Sequence, residues 1–301
     1  MNAVPGAIVV TGATGFTGPF AVRALAARFP GVPIRCLVRP DSRRGELDGL
    51  PVTFAEGDLR DGASLDRAFA GCDSLVNVAS LGFDWVDTLF DAIGRSTLRR
   101  GVFVSTTAIL TRLPVRSRPQ REHGEGRVRA ARLDWTILRP TMIYGTPGDR
   151  NIARLLRFVE RSPVVPIIAA GARQQPVHVE DVAAAIAAAL ASPATIGRTY
   201  ELSGAAPVTF EELVRQAVAA TGRRRWVVRL PFWPARLGVM LYNACAPTPR
   251  VSLEQLERLR EDKAFDHAAA TRDFGYRPRP FADGVAAEAG LIGRRGRPSD
   301  A

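Results

Sequence analysis

The sequence predicts an α/β fold: a doubly wound parallel sheet followed by a small, mostly helical C-terminal lobe. Three observations carry that expectation. Short β-branched runs alternate with segments of helical period through the first half of the chain. A glycine-rich turn, GATGFTG, joins the first such run to the first helical segment. The length of 301 residues, 46% of them hydrophobic, suffices for one large domain or a main domain with a lobe.

Taken in order, residues 7–11, 34–38, 52–55, 74–78, 102–105 and 136–138 read as strands. Residues 19–28, 64–69, 85–98 and 122–132 have helical spacing between them. Right-handed crossovers then bring every strand's C-terminus to one edge, where ligands bind. Beyond residue 145 the rhythm loosens. Residues 181–191 form a helix, 199–202 a short strand, and 210–220 a helix that Thr209 can cap. The expected organisation is a nucleotide-binding core over residues 1–145, then late core elements with a C-terminal substrate lobe over 146–292, and a disordered tail over 293–301.

The formal charge is +11, but Lys263 is the only lysine and the arginines are scattered. A nucleic-acid partner is not expected, since such proteins gather their charge on one face. Cys36, Cys72 and Cys245 lie far apart without metal-ligand spacing, so no metal is expected. No apolar run approaches the ~18 residues of a membrane span. With no leader pattern visible either, a cytoplasmic location is expected.

The chemistry starts at VVTGATGFTG, residues 9–18. Gly12, Gly15 and Gly18 follow a buried strand and open a helix. The first permits a tight turn, the second lets the backbone approach a pyrophosphate, and the third lets the helix pack on the strand. This is the fingerprint of a Rossmann-type nucleotide-binding domain, with Thr14, Phe16 and Thr17 completing the loop. At the end of the second strand an acidic residue would grip a ribose hydroxyl; here stands Arg39, with Arg43 and Arg44 behind it. Arginine suits a 2′-phosphate, so NADP(H) is expected over NAD(H), with Asp41 close by as the residue that would serve NAD instead. Asp58 and Leu59 follow the third strand and suit the adenine, while Ala79 and Ser80 end the fourth, beneath the ribose.

These features resemble the short-chain dehydrogenase/reductase superfamily in its atypical, extended branch. TGATGFTG, LDWTILRPTMIYG, PVHVEDVAAAI, YELSG and DFGYRPRPFADG carry the resemblance over nearly the whole chain. Epimerase/dehydratase-like proteins are the nearest relatives it suggests, including those akin to the nucleotide-binding accessory subunit of respiratory complex I. The resemblance implies a Tyr-x-x-x-Lys pair on the fifth helix, where tyrosine is the acid/base and lysine binds the ribose. In SRPQREHGE, Gly124 and Glu125 match, but Ser117 stands for tyrosine and Arg121 for lysine. No Tyr-x-x-x-Lys pair occurs anywhere in the chain. Arg121 can still hold a ribose hydroxyl, but it cannot relay protons as lysine does.

Substitutes are Ser105, Thr106 and Thr107 at the end of the fifth strand, and Tyr144 in the loop after the sixth. His123 reads as a surface histidine and His178 as a structural anchor of a loop-to-helix junction. Residues 230–247, LPFWPARLGVMLYNACAP, suit ordinary packing, a substrate lid or a membrane-contacting surface. The expected function is NADP(H)-dependent reduction of a small carbonyl-type substrate. Two alternatives stand beside it: a nucleotide-sugar epimerase or dehydratase, and a non-catalytic cofactor-binding regulator or assembly subunit. The sequence leaves the oligomeric state open.

Overall fold

The structure is a computed structural model and describes residues 5–113, 117–245 and 260–295. Its strands are β1 (Ile8–Thr11), β2 (Ile34–Val38), β3 (Val52–Glu56), β4 (Ser74–Asn77), β5 (Arg100–Val104), β6 (Asp134–Pro140), β7 (Ile143–Tyr144), β8 (Val164–Ile167), β9 (Arg173–Gln174), β10 (Val177–His178), β11 (Arg198–Leu202), β12 (Val208–Thr209) and β13 (Trp226–Arg229). The helices are α1 (Gly18–Arg28), α2 (Gly62–Phe69), α3 (Val86–Arg95), α4 (Arg118–Ala130), α5 (Ile152–Arg161), α6 (Val179–Ala191), α7 (Phe210–Ala220), α8 (Phe232–Cys245), α9 (Ala268–Phe274) and α10 (Phe281–Arg295).

The chain divides into two compact units. The first comprises the chain up to Thr141 with Val179–Leu202 and Asp266–Arg277; the second comprises Met142–His178, Ser203–Phe265 and the chain from Pro278 onward. Within 146–292, residues 179–202 and 266–277 belong to the first unit and the remainder to the second.

In the first unit seven parallel strands run in the order β11-β6-β5-β4-β1-β2-β3. This is the Rossmann-type order, with the connection reversing direction between β1 and β4. Period-two side chains place Val9, Leu37, Leu75, Phe103 and Ile137 on one face, packed with Leu65, Leu89, Phe90 and Val128 of α2, α3 and α4. On α6, the helix that packs against α1, nine positions from Val179 to Ala191 are buried. The edge strand β11 is tied by Tyr200, whose hydroxyl donates to Asp273 Oδ2 at 2.7 Å.

The second unit is built on α5, α7 and α10, whose buried faces meet around Leu156, Val159, Leu213, Val214 and Val285. Three two-stranded ribbons accompany them: β7 with β10, β9 with β12, and β8 with β13. Thr209 caps α7 as expected, in a full capping box with Glu212. Helix α10 runs to Arg295, and residues 296–301 of the expected tail lie outside the described residues.

Candidate functional site

At Gly12 and Gly18 the backbone of the glycine loop leaves no space for a side chain. Gly12 has φ +74, and a Cβ there would come within 2.6 Å of the Ala79 amide nitrogen. A Cβ on Gly18 would lie 2.3 Å from the carbonyl oxygens of Gly12 and Ala13, so only glycine lets α1 start this close to β1. The Gly15 amide donates to the Gly12 carbonyl at 3.0 Å, and the Gly18 amide to that of Gly15 at 3.1 Å. Beneath the loop the Thr11 hydroxyl donates to Asn77 Oδ1 at 2.7 Å, and the Asn77 amide donates to the Ala79 carbonyl at 2.7 Å. Buried Asn77 thus sets the ends of β1 and β4 side by side, a role the sequence reading missed although Asn77 stands next to the VAS turn.

A cleft of about 350 Å³ opens over this loop, lined by Gly12, Thr14, Gly15, Arg39, Asp58 and Leu59 among others. Six expected cofactor residues therefore share one cavity. Phe83, Trp85 and Ser42 also line it, and nothing in their local sequence distinguished them. Arg39 is exposed and lies 3.9 Å from Asp41. Arg44 turns away, bonded to Glu56 at 2.5 Å, so it does not join Arg39. Asp58 is fixed by the Arg60 amide, which donates to its Oδ1 at 2.8 Å. Thr17 is buried at the start of α1, whereas Phe16 and Ser80 are exposed.

A second cleft, of about 820 Å³, shares Arg60 and Phe83 with the first and extends to Ser117, Gln120 and His123. Its wall is the helix that resembles the family's catalytic one. Gly124 seats α4 against the chain, since a Cβ there would lie 2.3 Å from the Leu81 carbonyl oxygen. One turn earlier, the Arg121 stem rests against Gly82. His123 lies at the surface with Nε2 3.0 Å from Asp87 Oδ1.

Glu125 is fully buried. Ser105 Oγ donates to its Oε1 at 2.7 Å, Arg139 donates to both oxygens at 2.8 and 2.6 Å, and Arg129 donates to Oε2 at 2.6 Å. Burial works against the charge. The hydrogen bonds from Arg139, Ser105 and Arg129 outweigh it and hold the carboxyl below the usual carboxylate range. Arg139 also reaches Glu201 at 3.2 Å, which ties β6 to β11. The Ser105 proton is therefore committed to Glu125, leaving the oxygen's lone pairs as acceptors. Thr106 caps the turn after β5 by accepting from the Ala108 amide at 3.2 Å, and Thr107 is buried against the Pro140 carbonyl.

Tyr144 departs from expectation. It lies in β7, is fully buried, and packs edge-on against His178 and Phe281 in the core of the second unit. Its hydroxyl is 3.5 Å from the Phe281 carbonyl oxygen, and a Cβ on Gly284 would come within 2.1 Å of it. An enclosed phenol of this kind holds the fold together and presents no proton to a substrate. His178 is buried beside it, beneath Gly145.

The arrangement defines a nicotinamide-dinucleotide-binding protein of the short-chain dehydrogenase/reductase type. Residues 12–193 match the NAD(P)H-binding family, and the chain belongs to it. Over 303 aligned residues the chain is 32% identical to ceramide reductase of Caulobacter vibrioides, covering 95% of this chain and 91% of that one. It is 28% identical over 230 residues to the mitochondrial NADH dehydrogenase (ubiquinone) 1 alpha subcomplex subunit 9 of Dictyostelium discoideum, covering 71% of this chain and 64% of that protein. The crystal structure of gox2253 matches with a TM-score of 0.80 at 26% identity, covering 97% of this chain and 99% of that one.

Proposed function

We propose that this protein is an NADP(H)-dependent reductase of a carbonyl carried on a long-chain, apolar substrate. The observation that carries the reading is the 32% identity to ceramide reductase, spread over nearly the full length of both chains. The glycine cradle and its cleft fit a dinucleotide. The loop amides and the start of α1 suit the pyrophosphate, Asp58 and Leu59 the adenine, and Arg39 a 2′-phosphate. Arg121, against Gly82 at the neighbouring cleft, suits a ribose hydroxyl. When bound, the cofactor supplies hydride.

The chain's own part is positioning. Ser105, directed by Glu125, and Thr106 are the hydroxyls proposed to orient the polar end of the substrate at the end of β5. Without a tyrosine–lysine pair, acid/base assistance is weaker, and a slow enzyme is expected, by ~10²–10⁴-fold relative to one with a positioned acid.

A second reading follows from the empty dyad positions together with the similarity to a complex I subunit: a cofactor-binding protein without turnover. Thermal melting tests the cofactor, and turnover separates the two readings. NADPH at a hundred times its Kd is expected to stabilise the protein by ~2.7 kcal/mol, and more than NADH does. Arg39→Asp is expected to reverse that preference. NADPH oxidation on adding a keto-ceramide in mixed micelles supports the reductase; strong cofactor stabilisation with no oxidation supports the second reading. If no dinucleotide shifts the melt, both fail.

A further inference from the structure

The outer surface of the second unit carries an apolar face that the chemistry above does not use. In the β8–β13 ribbon, Val164 pairs with Trp226 and Pro166 with Val228. Paired residues of a parallel ribbon point the same way, and these four are exposed while Val165 and Ile167 are buried. An outward sheet face is ordinarily polar. This one shows Trp226 at 77% and Val228 at 41% exposure.

The face is continued along the chain by α8, where Trp233, Leu237 and Met240 are 71%, 50% and 48% exposed. Their i, i+4, i+7 spacing gathers them within an arc of roughly 60°. Phe232, Val239 and Asn243 fall together on a different, partly buried side of the helix, with the Phe232 ring 4.8 Å from the Arg260 guanidinium carbon. Among the described residues no helix is long and apolar enough to cross a membrane.

Charge identifies the occupant. Between Glu212 and Glu254 the sequence has seven arginines and no acidic residue, and of these Arg215 and Arg229 are paired with Glu211. Arg223 and Arg224 are exposed just ahead of β13, and Arg236 is exposed beside Leu237 on α8. A subunit interface does not call for a run of one charge sign around its apolar centre. Two exposed tryptophans within one stretch of chain that also exposes Arg223, Arg224 and Arg236 suit the boundary between headgroups and acyl chains of an anionic bilayer.

We infer that the β13–α8 face docks the protein on an anionic membrane surface. The inference stands on this surface alone and does not require the reductase reading. The test is flotation of the full-length protein, without cofactor or substrate, on vesicles of phosphatidylcholine with or without phosphatidylglycerol. Binding to the anionic vesicles is expected, weakening as salt rises, with a blue shift of tryptophan emission.

W226S/W233S is expected to lower the bound fraction about tenfold with an unchanged melting temperature, since both side chains are largely exposed. R223Q/R224Q is expected to weaken binding and flatten its salt dependence. The inference is overturned if the wild type does not float with anionic vesicles, or if W226S/W233S floats equally well. It is equally overturned if light scattering shows a dimer that W226S/W233S dissociates, which would make the face a subunit interface.

Discussion

Glu125→Ala is expected to lower the unfolding free energy by about 3 kcal/mol, the lower end for breaking a buried pair, because Arg139 loses two charged hydrogen bonds and keeps only Glu201. The Arg139 side chain is only 13% exposed, and two of its hydrogen bonds end on Glu125. Ser105 loses its acceptor at the same time, so the end of β5 loosens where the substrate hydroxyls are proposed. Glu125→Gln keeps the shape and removes the charge, and a smaller loss is expected. Urea unfolding of the two variants measures this. A loss below about 1 kcal/mol for Glu125→Ala would mean that solvent reaches Arg139 and the network is not a closed one.

Glu288→Gln is expected to change the pH dependence of stability and to stabilise the protein at neutral pH. Glu288 is fully buried in α10. Burial, and then the nearby Asp149 carboxylate, push its carboxyl up to about 10 from an ordinary 4.5. The folded protein keeps a proton that the unfolded chain has released. The contribution is full below the ordinary value and is lost as pH rises toward the folded one, at about 1.4 kcal/mol per pH unit. Between pH 5 and pH 7 the wild type is therefore expected to lose about 2–3 kcal/mol relative to the glutamine variant. Parallel pH profiles for the two proteins would show that the carboxyl is ionised in the folded state.

Much of this architecture is legible because it is local. Ile34–Val38 and Phe210–Ala220 emerge with the boundaries their periodicity predicts. The glycine loop declares itself because Gly12 and Gly18 must each lack a side chain, for two separate steric reasons, with Gly15 tightly placed between them. The helix with the vacant dyad is readable from Gly124 and Glu125, and Gly124 proves to sit against the Leu81 carbonyl. Tyr144 misled because a tyrosine after the sixth strand looks the same whether it faces a cleft or a core; Gly284, far along the chain, is what encloses it. The Glu125 network joins Ser105, just past β5, with residues of α4 and β6, and no local pattern announces such a meeting. Glu288 did carry a signal. It falls on the stripe of Phe281, Val285, Ala289 and Ile292, where an acid must be buried.

The discontinuity of the first unit matters for how the protein is made. Strand β6 takes its outer partner, β11, from residues 198–202, after the chain has passed through the other unit. A ribosome adding about 5–20 residues per second needs several seconds to supply that partner. Throughout that interval the nascent sheet ends in an unpaired strand, β6, with Ile137 and Leu138 and its backbone donors and acceptors open. For this protein the vulnerable moment of synthesis falls between the making of β6 and of β11. Slow translation across residues 141–197, or want of a chaperone there, would be felt as aggregation of half-made chains rather than as instability of the finished one.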